Sequence, residues 1–243
     1  MPSNPATQTI LESVLGDLQA HVDADHRDRI ADHFKLDMRD ALGVPTPIVR
    51  QISAQYSRAM QPLSLAEVLK RCEVLLQSGI YECKLIAFDW SFRRSAQLEI
   101  RHFEVFESWL QHYVTDWADC DDLCVHSLGF LVASYSGLAQ RVIPWTGESN
   151  RWMRRAAAVG LIYGLRRHLL LAEALSVAEN LLDDEDDLVQ KGYGWMLKEA
   201  TKYYPKDILA FVLRYQCQMP RLVVRTAIAK LPAPQRQQVL RRK

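Results

Sequence analysis

The stretch Leu65-Ala66-Glu67-Val68-Leu69-Lys70-Arg71-Cys72-Glu73-Val74-Leu75-Leu76 carries apolar side chains at 65, 68, 69, 72, 75 and 76. That three-and-four spacing lines one face of an α-helix. Ile10, Leu11, Val14, Leu15 and Leu18 repeat it, and the same period recurs along almost the whole chain. Alternating runs and Asn-Gly or Asp-Gly hairpin turns are missing, so strands are not expected. The punctuation is that of helices. Gly43-Val44-Pro45-Thr46-Pro47 sets a candidate N-cap, Thr46, before a first-turn proline, Gly79 follows the apolar helix, and Pro205, Pro220 and Pro232 separate the last segments. An all-α chain of about a dozen helices is predicted.

Helices of roughly 12 to 18 residues joined by short loops lie antiparallel to their neighbours. Pairs recur at about 40 residues, the period of HEAT and armadillo arrays. Period alone leaves a globular helical bundle open. The expectation is a curved α-solenoid of about six HEAT-like antiparallel helix pairs, a single domain over residues 1–243, with one helix of each pair on the concave wall.

Of the 243 residues, 49% are hydrophobic and 24% charged, which excludes a disordered or collagenous chain. The longest apolar stretch near the middle, Ala156 to Leu165, is about half of the roughly 20 residues that cross a bilayer, so no membrane partner is expected. Met1-Pro2-Ser3-Asn4-Pro5 has no basic residues ahead of an apolar core, and Glu12 and Asp17 interrupt the first apolar periodicity. No secretory signal is legible, and a cytoplasmic location is expected. Cys72, Cys83, Cys120, Cys124 and Cys217 are odd in number and irregular in spacing, which reads as reduced thiols.

The net charge of +1 is unevenly spread. After Asp207 there is no acid, while Arg214, Arg221, Arg225, Lys230, Arg236, Arg241, Arg242 and Lys243 supply eight positive charges. The first 207 residues hold 22 basic against 29 acidic side chains. Such a split fits a polyanion partner or a solvated basic helix equally well.

Three stretches carry candidate chemistry. In Thr115-Asp116-Trp117-Ala118-Asp119-Cys120-Asp121-Asp122, aspartates at a helix start cap it and complement its dipole, which accounts for Asp116 and Asp119. Trp117 and Asp121, four apart, share one helical face, either as an indole and a carboxylate in a groove or as a core Trp beside a surface Asp. In Ser149-Asn150-Arg151-Trp152-Met153-Arg154-Arg155, Ser149 or Asn150 caps a helix whose first turns hold three arginines, at the end where positive charge opposes the dipole. Their anion is a phosphate, an internal carboxylate such as Asp121, or solvent counterions. In Gln190-Lys191-Gly192-Tyr193-Gly194-Trp195-Met196-Leu197-Lys198, two helical glycines permit close approach to another helix or to a ligand. Lys191 and Lys198 flank Trp195 there, an arrangement suited to a sugar-phosphate strand if Trp195 is not simply core.

Asp183-Asp184-Glu185-Asp186-Asp187 reads as a solvated turn and helix cap. Cys120, Cys124 and His126 do not complete a zinc set, so no metal is expected. Phosphate-binding glycine loops, Gly-x-Ser-x-Gly and His-Glu-x-x-His are absent, which removes nucleotide hydrolysis, serine hydrolysis and zinc proteolysis. No cofactor is expected, and carboxylate chemistry remains.

Taken together, these segments resemble the AlkD-type DNA alkylation repair proteins, HEAT-like DNA glycosylases. The resemblance runs through Leu42-Gly43-Val44-Pro45-Thr46-Pro47-x-x-Arg50, Ser78-Gly79-x-Tyr81-Glu82-x-Lys84, Trp117-x-x-x-Asp121 followed by Gly129, Ser149-x-x-Trp152-x-x-Arg155-Ala156-Ala157 and Gln190-Lys191-x-x-Gly194-Trp195-x-Leu197-Lys198-Glu199. It implies a solenoid that cradles duplex DNA and, in base excision repair, hydrolyses the glycosidic bond of N3- or N7-alkylated purines. It implies Asp121 as the catalytic aspartate, Trp117 and Trp195 as contacts to the lesion's deoxyribose, and Arg155 as the arginine of the same cleft. Arg151, Arg154, Lys191, Lys198 and Arg225 are the expected DNA-binding residues. The expected partner is double-stranded DNA containing alkylated purines, bound by a monomer that is nucleoid-associated when on DNA. Where the family has an acid directly after the first Trp, this chain has Ala118, with Asp119 one residue later.

The chemistry agrees with the residues. An N-alkylated purine leaves as an already cationic group, so one carboxylate suffices where neutral glycosides need two. In the role the resemblance implies, Asp121 would stabilise an oxocarbenium-like sugar and orient water. A non-catalytic binder of damaged, bent or branched DNA on the same scaffold is the alternative, and a protein-interaction solenoid is a third reading.

Overall fold

The computed structural model describes residues 5–34, 40–135 and 137–241. Met1 to Asn4, on which the expectation about a secretory signal partly rests, and the last two terminal basics, Arg242 and Lys243, lie outside them. The chain divides into two compact units, residues 1–99 and 100–243.

The first unit contains α1 (Pro5–Gln19), α2 (Ala24–Phe34), α3 (Thr46–Ala59), α4 (Leu65–Gln77) and α5 (Tyr81–Arg93). α4 shows why these residues fold as they do. Ser64 accepts from the Glu67 amide at 3.3 Å, Glu67 accepts from the Ser64 amide at 2.9 Å, and this reciprocal pair satisfies two amides that a helix start leaves open. Val68, Leu69, Cys72, Leu75 and Leu76 are buried on one face, as their spacing predicts, and α4 packs on α1 and α5. The expected cap at Thr46 is not used. Pro45 takes the N-cap place without a side-chain bond, and Thr46 and Pro47 become the first two helical residues. The preceding turn is held from a distance, because the buried Glu82 carboxylate accepts from the amides of Leu42, Gly43 and Val44 at 3.0, 2.7 and 3.0 Å. Gly43 is required there, since its φ is +88° and a Cβ would lie 2.5 Å from the Asp23 carbonyl oxygen.

The second unit contains α6 (Phe103–His112), α7 (Trp117–Leu123), α8 (Gly129–Ser134), α9 (Leu138–Val142), α10 (Arg151–Val159) and α11 (Ile162–Leu165). It continues with α12 (Leu171–Asn180), α13 (Asp187–Thr201), α14 (Pro205–Tyr215), α15 (Arg221–Ala227) and α16 (Ala233–Arg241). The described residues contain no strand and more helices than the dozen expected, because short breaks divide longer runs. A π-helical turn over Cys124–Leu128 separates α7 from α8. Gly129 comes next, where a Cβ would meet the Cys124 carbonyl oxygen at 2.5 Å and Tyr163 Cβ at 2.9 Å. α13 packs against both α10 and α15. Among the described residues no helix is long and apolar enough to cross a membrane.

Candidate functional site

α7 begins at Asp116, whose carboxylate accepts from the Asp119 amide at 2.9 Å. Asp119 is fully buried, and its own carboxylate accepts from the Thr115 amide and hydroxyl, each at 3.2 Å. Both aspartates therefore act on the helix start. Trp117, the first residue of the helix, is half-buried, and Asp121 follows one turn later on the same face.

α10 is capped by Asn150, which accepts from the Trp152 amide at 2.9 Å. Arg155 reaches from it to Asp121 with two parallel bonds, Nε to Oδ1 and Nη2 to Oδ2, both 2.8 Å. Its third arm donates to the Leu188 carbonyl in the first turn of α13. One guanidinium thus joins three helices. The two side chains are 6% and 17% exposed, so the pair is withdrawn from water while the carboxylate keeps an open edge. Each carboxylate oxygen has two acceptor sites, and Arg155 occupies one on each.

Burial raises the Asp121 pKa above its ordinary value, against the hydrogen bonds and charge of Arg155, which pull the other way. Burial also disfavours the Arg155 charge, but the bonds and charge of Asp121 outweigh it and hold the guanidinium more firmly protonated than usual.

The two helical glycines in α13 answer to different neighbours. A Cβ on Gly192 would come within 3.0 Å of Arg155 Cγ and 3.3 Å of its Nη1, so this glycine makes room for the arginine. A Cβ on Gly194 would meet Val223 and Thr226 of α15 at 3.5 Å, ordinary contact. Trp195, one turn beyond Gly192, is half-buried. Trp195 therefore lies on the helix whose Leu188 carbonyl accepts from Arg155, and Trp117 on the helix that carries Asp121.

The basic residues divide by their surroundings. Arg151 Nε pairs with Asp186 at 3.0 Å and stays half exposed. Arg154 Nε pairs with Asp184 at 2.7 Å, and its Nη1 donates to the Glu148 and Ser149 carbonyls at 2.9 and 3.0 Å. Lys191 pairs with Asp187 at 2.7 Å at the surface. Asp186 also caps α13 through the Leu188 amide at 3.0 Å. The acidic run is therefore more than a solvated turn, since it supplies carboxylates to two of the arginines that oppose the α10 dipole. Sequence reading missed this pairing, and the arginines' unfavourable end was the signal that could have found it. Lys198 lies in the last turn of α13, half-buried. Arg225 is exposed on α15, which meets the face of α13 opposite Arg155.

Residues 14–231 match a family model described as DNA alkylation repair enzyme. A solved structure described as "Predicted DNA alkylation repair enzyme from Enterococcus faecalis" superposes with a TM-score of 0.78 at 16% identity, over 88% of this chain and 98% of that one, a likeness of fold. No curated protein matches the chain.

Proposed function

The chain belongs to the DNA alkylation repair enzyme family, and from that premise we propose that it is a DNA glycosylase that excises cationic N3- or N7-alkylated purines from duplex DNA. The observation that carries this reading is the bidentate Asp121–Arg155 pair, a carboxylate withdrawn from water but open at one edge, one turn from Trp117. Arg155 fixes the carboxylate plane and leaves outward lone pairs for a water or for the sugar's developing charge. Trp117 and Trp195 face that charge with their rings, each contributing about 1 kcal/mol. HEAT-like pairing of the helices supplies the scaffold in this reading.

Phosphate contacts fall to the exposed Arg225 and to the half-buried Lys198, while Arg151 and Lys191, about half exposed, exchange Asp186 and Asp187 for phosphate. Arg154, only 20% exposed with its donors engaged at Asp184 and two carbonyls, is the least available of the expected contacts.

The test is single-turnover release of 7-methylguanine from a duplex by the wild type, Asp121→Asn and Asp119→Asn. Asp121→Asn is expected to lose about 100-fold or more, and Asp119→Asn to retain release. For the wild type, release falls as pH drops and Asp121 becomes protonated, with an inflection above the ordinary aspartate value of about 3.9. Release by Asp121→Asn at the wild-type rate would remove the carboxylate from the mechanism.

The non-catalytic DNA binder has one observation in its favour, that both Asp121 oxygens already accept from Arg155. A wild type that binds duplex in a salt-dependent manner but releases no base from 3-methyladenine or 7-methylguanine duplexes establishes that reading instead.

A further inference from the structure

Residues 208–241 contain no acid, and Arg214, Arg221, Arg225, Lys230, Arg236 and Arg241 in this segment are all exposed. Between α16 and the end of α15 with its adjoining turn lies a cavity of about 400 Å³. Arg225, Arg236 and Gln237 give it a polar side, and Ile228, Ala233 and Leu240 an apolar one. Ile228 is a buried floor at 2% exposure, whereas Leu240 stands 55% exposed at the edge.

Three properties define what fits. The volume lies in the range of about 300–1,000 Å³ that small-ligand sites occupy. Two arginines in a segment without acids select an anion. The apolar side selects an anion with an apolar body, because a bare ion gains nothing from Ile228, Ala233 and Leu240. Guanidinium groups stack on flat aromatic systems and bind phosphate bidentately, so one group serves both halves of such a ligand.

We propose that this cavity binds a single nucleotide, its phosphate at Arg225 and Arg236 and its base against Ile228, Ala233 and Leu240. Free nucleotide and the terminal nucleotide of a DNA strand share this chemistry. The site is separate from the Asp121–Arg155 pair, since α15 meets the opposite face of α13. The choice of a nucleotide over another flat organic phosphate rests on the DNA reading above.

The test is calorimetric titration of the full chain with dAMP, deoxyadenosine, inorganic phosphate and 1-naphthyl phosphate, for the wild type, Arg236→Gln and Leu240→Ala. Both substitutions are at exposed positions, and circular dichroism verifies the fold. dAMP is expected to bind, with deoxyadenosine and phosphate each weaker by tenfold or more, and Arg236→Gln to weaken dAMP by about tenfold. Leu240→Ala is expected to weaken dAMP and leave phosphate unchanged. A selective effect of Arg236→Gln on a 5′-phosphorylated overhang duplex, relative to a blunt unphosphorylated one, assigns the strand end, and equal effects assign free nucleotide. Phosphate binding as tightly as dAMP overturns the proposal in favour of a bare anion patch. Naphthyl phosphate binding as tightly as dAMP overturns the nucleotide, and no effect of Arg236→Gln overturns the place. The readout is binding, so a chain inert in excision still tests the cavity, and excision without nucleotide binding removes this inference alone.

Discussion

The arginines of α10 and those after Asp207 are the same side chain in opposite environments. Arg151, Arg154 and Arg155 stand at the end of a helix where positive charge is disfavoured, and each meets an aspartate, Asp186, Asp184 or Asp121. Arg214, Arg221, Arg225, Arg236 and Arg241 stand in a segment that has no acid to offer. The first group has its counter-charges built in and acts mainly as joinery between helices, with Arg155 the tie beneath the candidate catalytic carboxylate. The second group finds no acid within its own segment. A count of positive charge along the chain does not separate the two; the position of the acids does.

The largest test of that difference is Arg155→Ala. It leaves Asp121 withdrawn from water without its partner, a change that costs about 3–5 kcal/mol where buried pairs are broken. Urea unfolding is expected to show a loss of that order for Arg155→Ala and less than about 0.5 kcal/mol for Arg225→Ala, an exposed site. Equal losses would erase the distinction between joinery and surface.

The next test uses the two glycines of α13. Gly192→Ala forces a methyl to 3.0 Å from an arginine held at three points, and a net loss of about 1 kcal/mol is expected despite the better helix propensity of alanine. Gly194→Ala meets only ordinary contacts, and a gain of up to about 1 kcal/mol is expected. Thermal melts of the two variants should therefore move in opposite directions.

Salt dependence separates the groups by function. Each phosphate contact contributes about 0.9 to the slope of log affinity against log salt. Arg225→Ala is expected to lower the slope for duplex binding by about that amount, and Arg154→Ala to leave it unchanged. An equal change for both would place Arg154 on the phosphates despite its internal bonds.

Part of this contrast was legible in sequence. Periodicity gave the buried face of α4 and the all-helical class, and N-cap preference gave the Asp116 cap and narrowed the α10 cap to Ser149 or Asn150, of which Asn150 serves. Four-residue spacing placed Trp117 and Asp121 on one face. What escaped were partnerships across tens of residues: Glu82 on the amides of Leu42 to Val44, and Asp184 and Asp186 on arginines some thirty positions earlier. Such pairs depend on how helices stack, which no local rule contains. Thr46 was misread for a local reason, since Pro45 already sets the extended backbone that an N-cap needs.

The smallest effect concerns the far end of α13, where the arrangement is inverted and a buried acid, Glu199, serves two partly exposed cations. Burial raises its pKa, but bonds from Lys202 at 2.7 Å and Arg166 at 3.1 Å outweigh that and hold it below the ordinary range. The stability it contributes is present above its unfolded value of about 4.3 and is lost as pH falls through the lower folded value. With both cations near 40% exposed, Glu199→Gln is expected to cost less than about 1 kcal/mol at pH 7, read as a shift in urea midpoint that shrinks in acid.

The π-helical turn at Cys124–Leu128 acts as a phase shift in the path from Trp117 to Ser134. One additional residue in a helix rotates everything beyond it by about 100°. The segment before the turn can thus aim Asp121 at Arg155 while the segment after it presents Gly129 to Tyr163 and Gly160. Deleting Val125 would give a more regular helix and a worse protein, because the two halves could no longer satisfy both partners at once.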